Sequence, residues 1–167
     1  VAMVSFTGSD TTGAKIYASA ANSIKRVSLE LGCKSPNIVF EDCDIDAAVV
    51  GAVSGIFAAA GQTCVAGSRL LVQNSIKERF VAQLIETVKA AKLGDPMSSE
   101  TSIGPIATPD QHKKVLRYID IARSEGARCV LGGEPDRDLP GGQFVQPTIF
   151  VDVTNDTMNV SMTALSP

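Results

Sequence analysis

Residues 1–31 switch from one apolar period to another and back, and that switch limits the fold more than any other feature of the chain. Residues 1–6 form a short apolar run that ends at a turn over Thr7, Gly8, Ser9 and Asp10. Helical spacing follows over 11–22, with Ile16, Ala20 and Ala21 on one side. Residues 26–31 then alternate, with Val27, Leu29 and Leu31 on one face and Arg26, Ser28 and Glu30 on the other. Strand, helix and strand at this spacing predict a βαβ unit, in which a right-handed crossover makes the two strands parallel. The fold class is therefore α/β.

The pattern continues in the same style. Residues 37–40 read as a strand, and the acidic residues over 42–46 suit the positive end of a helix from about 45 to 60. Residues 47–68 carry no charge, but Gly51, Gly55, Gly61 and Gly67 interrupt them and Gln62 and Thr63 are polar. The continuous apolar part, 47–60, has the length of a buried core helix and falls short of a membrane span. A strand over 69–73 precedes an amphipathic helix over 75–92 that turns Phe80, Leu84, Ile85 and Val88 inward, with Ser75 and Glu78 as its capping box. A turn-rich loop leads to a helix over 110–125, with Val115, Leu116, Ile119 and Ala122 on one side, and strands are expected over 127–131 and 148–153.

Charge and cysteine content narrow the function. Fifteen Lys and Arg against eighteen Asp and Glu give a net charge of −3 without any basic run, which argues against a nucleic-acid partner. Cysteines at 33, 43, 64 and 129 form no paired C-x-x-C with the single His112, so no metal site is expected. Free thiols in a chain with an ordinary core point to the cytoplasm. Cys33, Cys43 and Cys129 are read as buried structural thiols.

Three places could carry chemistry. The glycine turn of residues 6–13 aims backbone N–H groups and a helix N-terminus at whatever lies above it, a phosphate in many proteins, although a tight turn closing a βα unit is the simpler account of the motif alone. Glu30 lies at the carboxyl end of a strand, where open α/β sheets gather ligands, and could be a general base or a solvated carboxylate. Cys64 sits on a glycine-flanked turn, where a thiol can be reached by substrate and its N–H can face an oxyanion; burial as a structural thiol is the alternative.

Taken together, FTGSDTTG at 6–13, LELGCKSPNIVF at 29–40, GQTCVAGSR at 61–69, LGDP at 93–96, IGP at 103–105 and QPTIFVDV at 146–153 closely resemble the aldehyde dehydrogenase superfamily. The resemblance covers residues 1–156 and implies a parallel-sheet aldehyde dehydrogenase-like fold. Residues 1–32 would end a Rossmann-type dinucleotide-binding domain, and 33–167 would begin the catalytic domain. It implies NAD or NADP as cofactor and a small aldehyde as substrate. Cys64 matches the nucleophile and Glu30 the base that activates water. Gly8 and Ser9 match the turn at the cofactor pyrophosphate, Thr12 and Gly13 the helix start beside the adenine end, and Leu31 and Gly32 the backbone beside the nicotinamide.

Two departures from the pattern stand out. Cys33 occupies a position where the family commonly has a second glycine, which would narrow the path between Glu30 and Cys64. From Thr157 onward the residues do not match the family's Glu-Phe-Gly-Pro segment. The chain is expected to be a segment of a parent enzyme that forms homodimers or homotetramers. On that reading the isolated segment would be either catalytically incompetent, serving as a structural or interaction piece, or a residual thiol esterase.

Overall fold

A computed structural model describes residues 1–136, 138–139 and 141–153. The departure expected after Thr157 lies outside the described residues. The elements are β1 (Met3–Gly8), α1 (Asp10–Ala21), β2 (Arg26–Leu31), β3 (Pro36–Val39), α2 (Ile45–Phe57), β4 (Arg69–Val72), α3 (Lys77–Lys89), α4 (Pro109–Ser124), β5 (Arg128–Leu131) and β6 (Ile149–Val151).

The βαβ unit forms as the sequence predicts. β1 and β2 pair in parallel, with Phe6 opposite Leu29, Thr7 opposite Glu30 and Gly8 opposite Leu31. The strand extends two residues further than expected, so Ser9 alone separates β1 from α1. α1 turns Gly13 and Ala20 into the protein, with Ile16 half-buried between them, while Ala21 is exposed. Gly13 is where the helix meets the sheet: a Cβ there would lie 2.7 Å from a methyl of Leu31. Any side chain there would have to displace that methyl, the far end of Leu31.

β3 and β4 form a second parallel pair, with Pro36 opposite Arg69 and Val39 opposite Val72. α2, capped by Asp44 through the Ala47 N–H at 3.1 Å, crosses between them. β5 and β6 pair antiparallel, an arrangement the sequence pattern did not indicate. β6 is buried throughout and serves two cores. Ile149 and Val151 join Val39, Val49, Ala52, Phe80, Leu84 and Val88 beneath α2 and α3. Phe150, pointing the other way as strand alternation requires, joins Ile106, Val115, Ile119, Ala122 and Ala127 beneath α4.

The helix faces agree with expectation at Phe80, Leu84 and Val88 and at Val115, Ile119 and Ala122, all buried. Two termini do not. Ser75 does not cap α3; its hydroxyl donates to the Glu41 carboxylate at 2.5 Å, and the helix starts at Lys77 without a side-chain cap. α2 ends at Phe57, three residues early, and continues only as a 3-10 turn over Ala58–Gly61. Among the described residues no helix is long and apolar enough to cross a membrane.

Replacing Phe80, which is fully buried in the first core, by Ala should cost about 3–5 kcal/mol in a denaturant melt. Asp152, just past β6, accepts from Arg128 Nε at 2.9 Å and from Lys77 Nζ at 3.2 Å, and these bonds hold its carboxyl below the usual carboxylate range. A depressed carboxylate contributes stability above its unfolded value of about 3.9, and the contribution disappears as pH falls through the lower folded value. Asp152→Asn should therefore melt below the parent chain at neutral pH, and the gap should close under acid conditions.

Candidate active site

Because β1 and β2 are parallel and in register, their carboxyl ends lie at one sheet end. Gly8, Ser9, Glu30 and Leu31 are thus brought together. Ser9 is the N-cap of α1: its hydroxyl oxygen accepts from the Thr12 N–H at 3.3 Å and lies 3.0 Å from Thr12 Oγ1. Asp10 adds a carboxylate oxygen 2.7 Å from the Thr11 N–H. The start of the helix thus already accepts an anionic oxygen from within the chain, as the unpaired N–H groups and positive end of a helix favour. Thr12 is exposed at this turn, whereas Gly13 is buried beneath Leu31, so its contribution is close packing.

The chain leaves β2 through Gly32 and reaches β3 across Cys33, Lys34 and Ser35. This short segment is fastened to the far side of α2. Arg69 donates through its backbone N–H to the Ser35 carbonyl at 3.2 Å and through Nε to the Lys34 carbonyl at 2.9 Å. Cys33 Sγ donates to the Cys64 carbonyl at 2.9 Å. These bonds draw the cysteine turn to the segment that begins three residues after Glu30. Both Glu30 and Cys64 are exposed.

The turn has a local cause. Ala59, Ala60 and Gly61 hold φ values of 51°, 54° and 74°, left-handed backbone that costs about 1–2 kcal/mol for each residue bearing a Cβ. Left-handed residues cannot continue α2, so the chain leaves the helix axis and turns at Thr63–Ala66, closed by the Ala66 N–H to the Thr63 carbonyl at 3.1 Å. Gln62 anchors it, accepting from the Ala107 N–H at 3.1 Å and donating to the Ala59 carbonyl at 3.3 Å. Among the described residues the Cys64 N–H has no backbone partner. A cavity of about 40 Å³ opens where α2 ends, lined by Phe57, Gly61, Ile106, Val145 and Thr148 among others.

Cys33 corrects the reading of it as a buried thiol. It is exposed, because its side chain lies along the surface of the turn and not beneath it, and its sulfur is 3.3 Å from Ser35 Oγ. Cys43 and Cys129 are partly buried and pack against the two cores. Lys34 is held below the usual lysine range, first by burial and then by the Lys114 ammonium, with the Cys33 charge opposing. The sequence places Cys33 on the path between Glu30 and Cys64 but does not show its bond to Cys64, nor that Arg69, which ends the charge-free stretch, fastens residues 34 and 35. Among the described residues no three His, Cys, Asp or Glu side chains gather as a metal site would require.

Known proteins carry the same elements. The model for the family described as "Aldehyde dehydrogenase family" matches residues 1–162. A betaine aldehyde dehydrogenase of Cereibacter sphaeroides is 48% identical over 155 residues, 93% of this chain and 32% of that protein. One from Sinorhizobium fredii is 47% identical over 157 residues, again 93% of this chain and 32% of the relative. Among solved structures, betaine aldehyde dehydrogenase from Staphylococcus aureus in complex with NAD+ superposes with a TM-score of 0.91 at 45% identity, covering 93% of this chain and 31% of that one. An aldehyde dehydrogenase from Bacillus cereus gives 0.91 at 44% identity, covering 96% and 32%. The chain spans about a third of the length of the curated relatives it matches.

Ala59 is exposed, so its methyl group contributes strain without packing. Ala59→Gly should raise stability by about 1 kcal/mol in a urea melt, the reverse of the usual effect of glycine near a helix.

Proposed function

The chain belongs to the aldehyde dehydrogenase family, and we propose that it carries the nucleophile and the base for oxidation of an aldehyde to a carboxylic acid with NAD(P)+. One observation supports the reading: Cys33, three residues after Glu30, is bonded through its sulfur to the carbonyl of Cys64, which links two residues far apart in sequence.

Cys64 attacks as the thiolate, forming a bond to the aldehyde carbon while the carbonyl electrons move onto oxygen. The Cys64 N–H supplies a donor to that oxyanion. NAD(P)+ bound at the carboxyl ends of β1 and β2 supplies the acceptor for the hydride that leaves this carbon. Gly8 and Ser9 at the positive end of α1 would hold its pyrophosphate, Thr12 and Gly13 would flank the adenine end, and the Leu31 and Gly32 backbone would lie beside the nicotinamide. The Thr11 N–H already holds a carboxylate oxygen at this turn, which is the chemistry a phosphate oxygen requires. Loss of the hydride leaves a thioester on Cys64. Glu30 then takes a proton from water, the water oxygen adds to the acyl carbon, and the thiolate departs with release of the acid. A carboxylate suits this step because it directs water without competing for the carbonyl carbon.

The division at Gly32 follows from the same reading, with 1–32 closing the cofactor domain and 33–167 opening the catalytic domain. The free thiols of the chain accord with a cytoplasmic enzyme, and the family reading carries with it a homodimer or homotetramer. The names of the relatives make betaine aldehyde and NAD+ the first pair to assay. Release of free acid rather than an acyl-CoA is expected, because Glu30 is present to activate water.

A stoichiometric thiol-alkylating reagent, with peptide mapping, tests the reading on the chain itself. Cys64 should react at least about tenfold faster than Cys43 and Cys129, and NAD+ should change that rate. Equal reactivity of all four cysteines, unmoved by NAD+, would remove the assignment. In turnover assays of the parent enzyme, Cys64→Ala should abolish oxidation, whereas Glu30→Gln should still form the acyl-enzyme and lose its hydrolysis by about a hundredfold or more.

A further inference from the structure

We propose that Cys33 and Cys64 form a peroxide-sensitive pair, in which Cys33 is the resolving thiol that converts an oxidised Cys64 into a reversible disulfide. The proposal rests on the reading of Cys64 as the reactive nucleophile. It begins from a contact, since Cys33 Sγ lies 2.9 Å from the Cys64 carbonyl oxygen. A carbonyl oxygen sits about 2.4 Å from the Cα of its own residue and a cysteine sulfur about 2.8 Å from its own, so the two Cα atoms lie no more than about 8 Å apart. Disulfides span Cα separations of about 4.4–6.8 Å, so the bridge requires the turn to close by no more than about 1–2 Å.

Both thiols are exposed, and the segment between Gly61 and β4 is free of helix and strand, so the turn can rotate without breaking a ladder. The other two thiols are occupied elsewhere. Cys43 packs against the first core, and Cys129 in β5 donates to the Leu131 carbonyl at 3.2 Å. Cys33 alone among the described cysteines is bonded to the Cys64 residue.

The chemistry balances with a hydroperoxide as oxidant. The Cys64 thiolate attacks one peroxide oxygen, the O–O bond breaks, and an alcohol or water leaves after taking a proton, giving the sulfenic acid. Sulfur is oxidised by two electrons and the peroxide is reduced. The Cys33 thiolate then attacks the Cys64 sulfur; an S–S bond forms, the S–O bond breaks, and hydroxide leaves as water with the proton that Cys33 gave up. A thiol reductant such as glutathione returns both residues by exchange, itself becoming the disulfide. The pair thereby stops aldehyde oxidation reversibly and spares the nucleophile from sulfinic acid, a form that thiols do not reduce.

The test uses the purified 167-residue chain, reduced, treated with stoichiometric hydrogen peroxide, alkylated under denaturing conditions and mapped by mass. The expected product has lost two hydrogen atoms, contains a peptide joining Cys33 to Cys64, and returns fully to the dithiol with a reductant. Cys33→Ser keeps a donor for the Cys64 carbonyl but has no second sulfur, and its Cys64 should pass to sulfinic acid and lose most of its recovery. Cys33→Ala serves as a second variant with the same expectation. Sulfinic acid at Cys64 in the unaltered chain without a Cys33 link, or a link to Cys43 or Cys129 instead, would overturn the pair. Selective alkylation of Cys64 in the same preparation keeps the nucleophile reading even then; loss of both selective alkylation and the link removes both.

Discussion

Everything at the site depends on the parallel pairing of β3 with β4 and on the bonds that extend it toward the amino ends of those strands. Residues 33–35 would otherwise be a plain connection, and the whole of α2 lies between them and Arg69. Arg69 closes that distance with two donors on consecutive carbonyls, and Cys33 adds a third bond to Cys64. Each such bond adds only about 1 kcal/mol to stability. Their value is in register, because they fix which residue of the turn lies against the continuation of β2. β1–β2 and β3–β4 are separate parallel pairs, and residues 32–35 with the Cys33 bond to Cys64 link the strand end of Glu30 to the cysteine turn.

Left-handed backbone persists just before Cys64. α2 buries Val49, Ala52 and Ile56 and would run on if its apolar composition alone decided. Two non-glycine residues in left-handed conformation oppose that, and tertiary contacts hold them there: Ala60 packs against the second core, and Gln62 reaches both Ala59 and Ala107. Strain held by surrounding packing, next to a residue that must be exposed, is the usual relation between backbone outliers and reactive sites. The outcome is a cysteine that projects from a turn instead of vanishing into a helix face.

What could be read in the sequence was what local patterning decides. The βαβ unit, the buried stripes of α3 and α4, and the strand-end position of Glu30 follow from period and spacing, which neighbouring residues set among themselves. What could not be read was set by partners distant in sequence. Ser75 forms a capping box on paper, yet Glu41 at the end of β3 takes its hydroxyl. Ala21 shares the helical spacing of Ala20, but the sheet reaches only as far round α1 as Gly13, Ile16 and Ala20. The antiparallel pairing of β6 with β5 had no local signal either, because a continuous apolar run fits a strand of either direction. Cys33 was assigned by the commonest fate of a thiol in an ordinary core, a base expectation that the contact with Cys64 overrides.

That contact ties two opposed demands on one residue. A nucleophilic thiol must be reachable by an aldehyde, and any thiol reachable by a small electrophile is also reachable by a peroxide. Burying Cys64 would protect it and end catalysis. Placing a second thiol where the backbone already brings the two segments together protects it without covering it, since the resolving group acts only after oxidation has occurred. Glycine at position 33 would remove that second sulfur together with its bond to the Cys64 carbonyl. On the proposed reading, the side chain at 33 decides how Cys64 meets an oxidant, while the pairing of β3 with β4 and the bonds of Arg69 hold residues 34 and 35 in place.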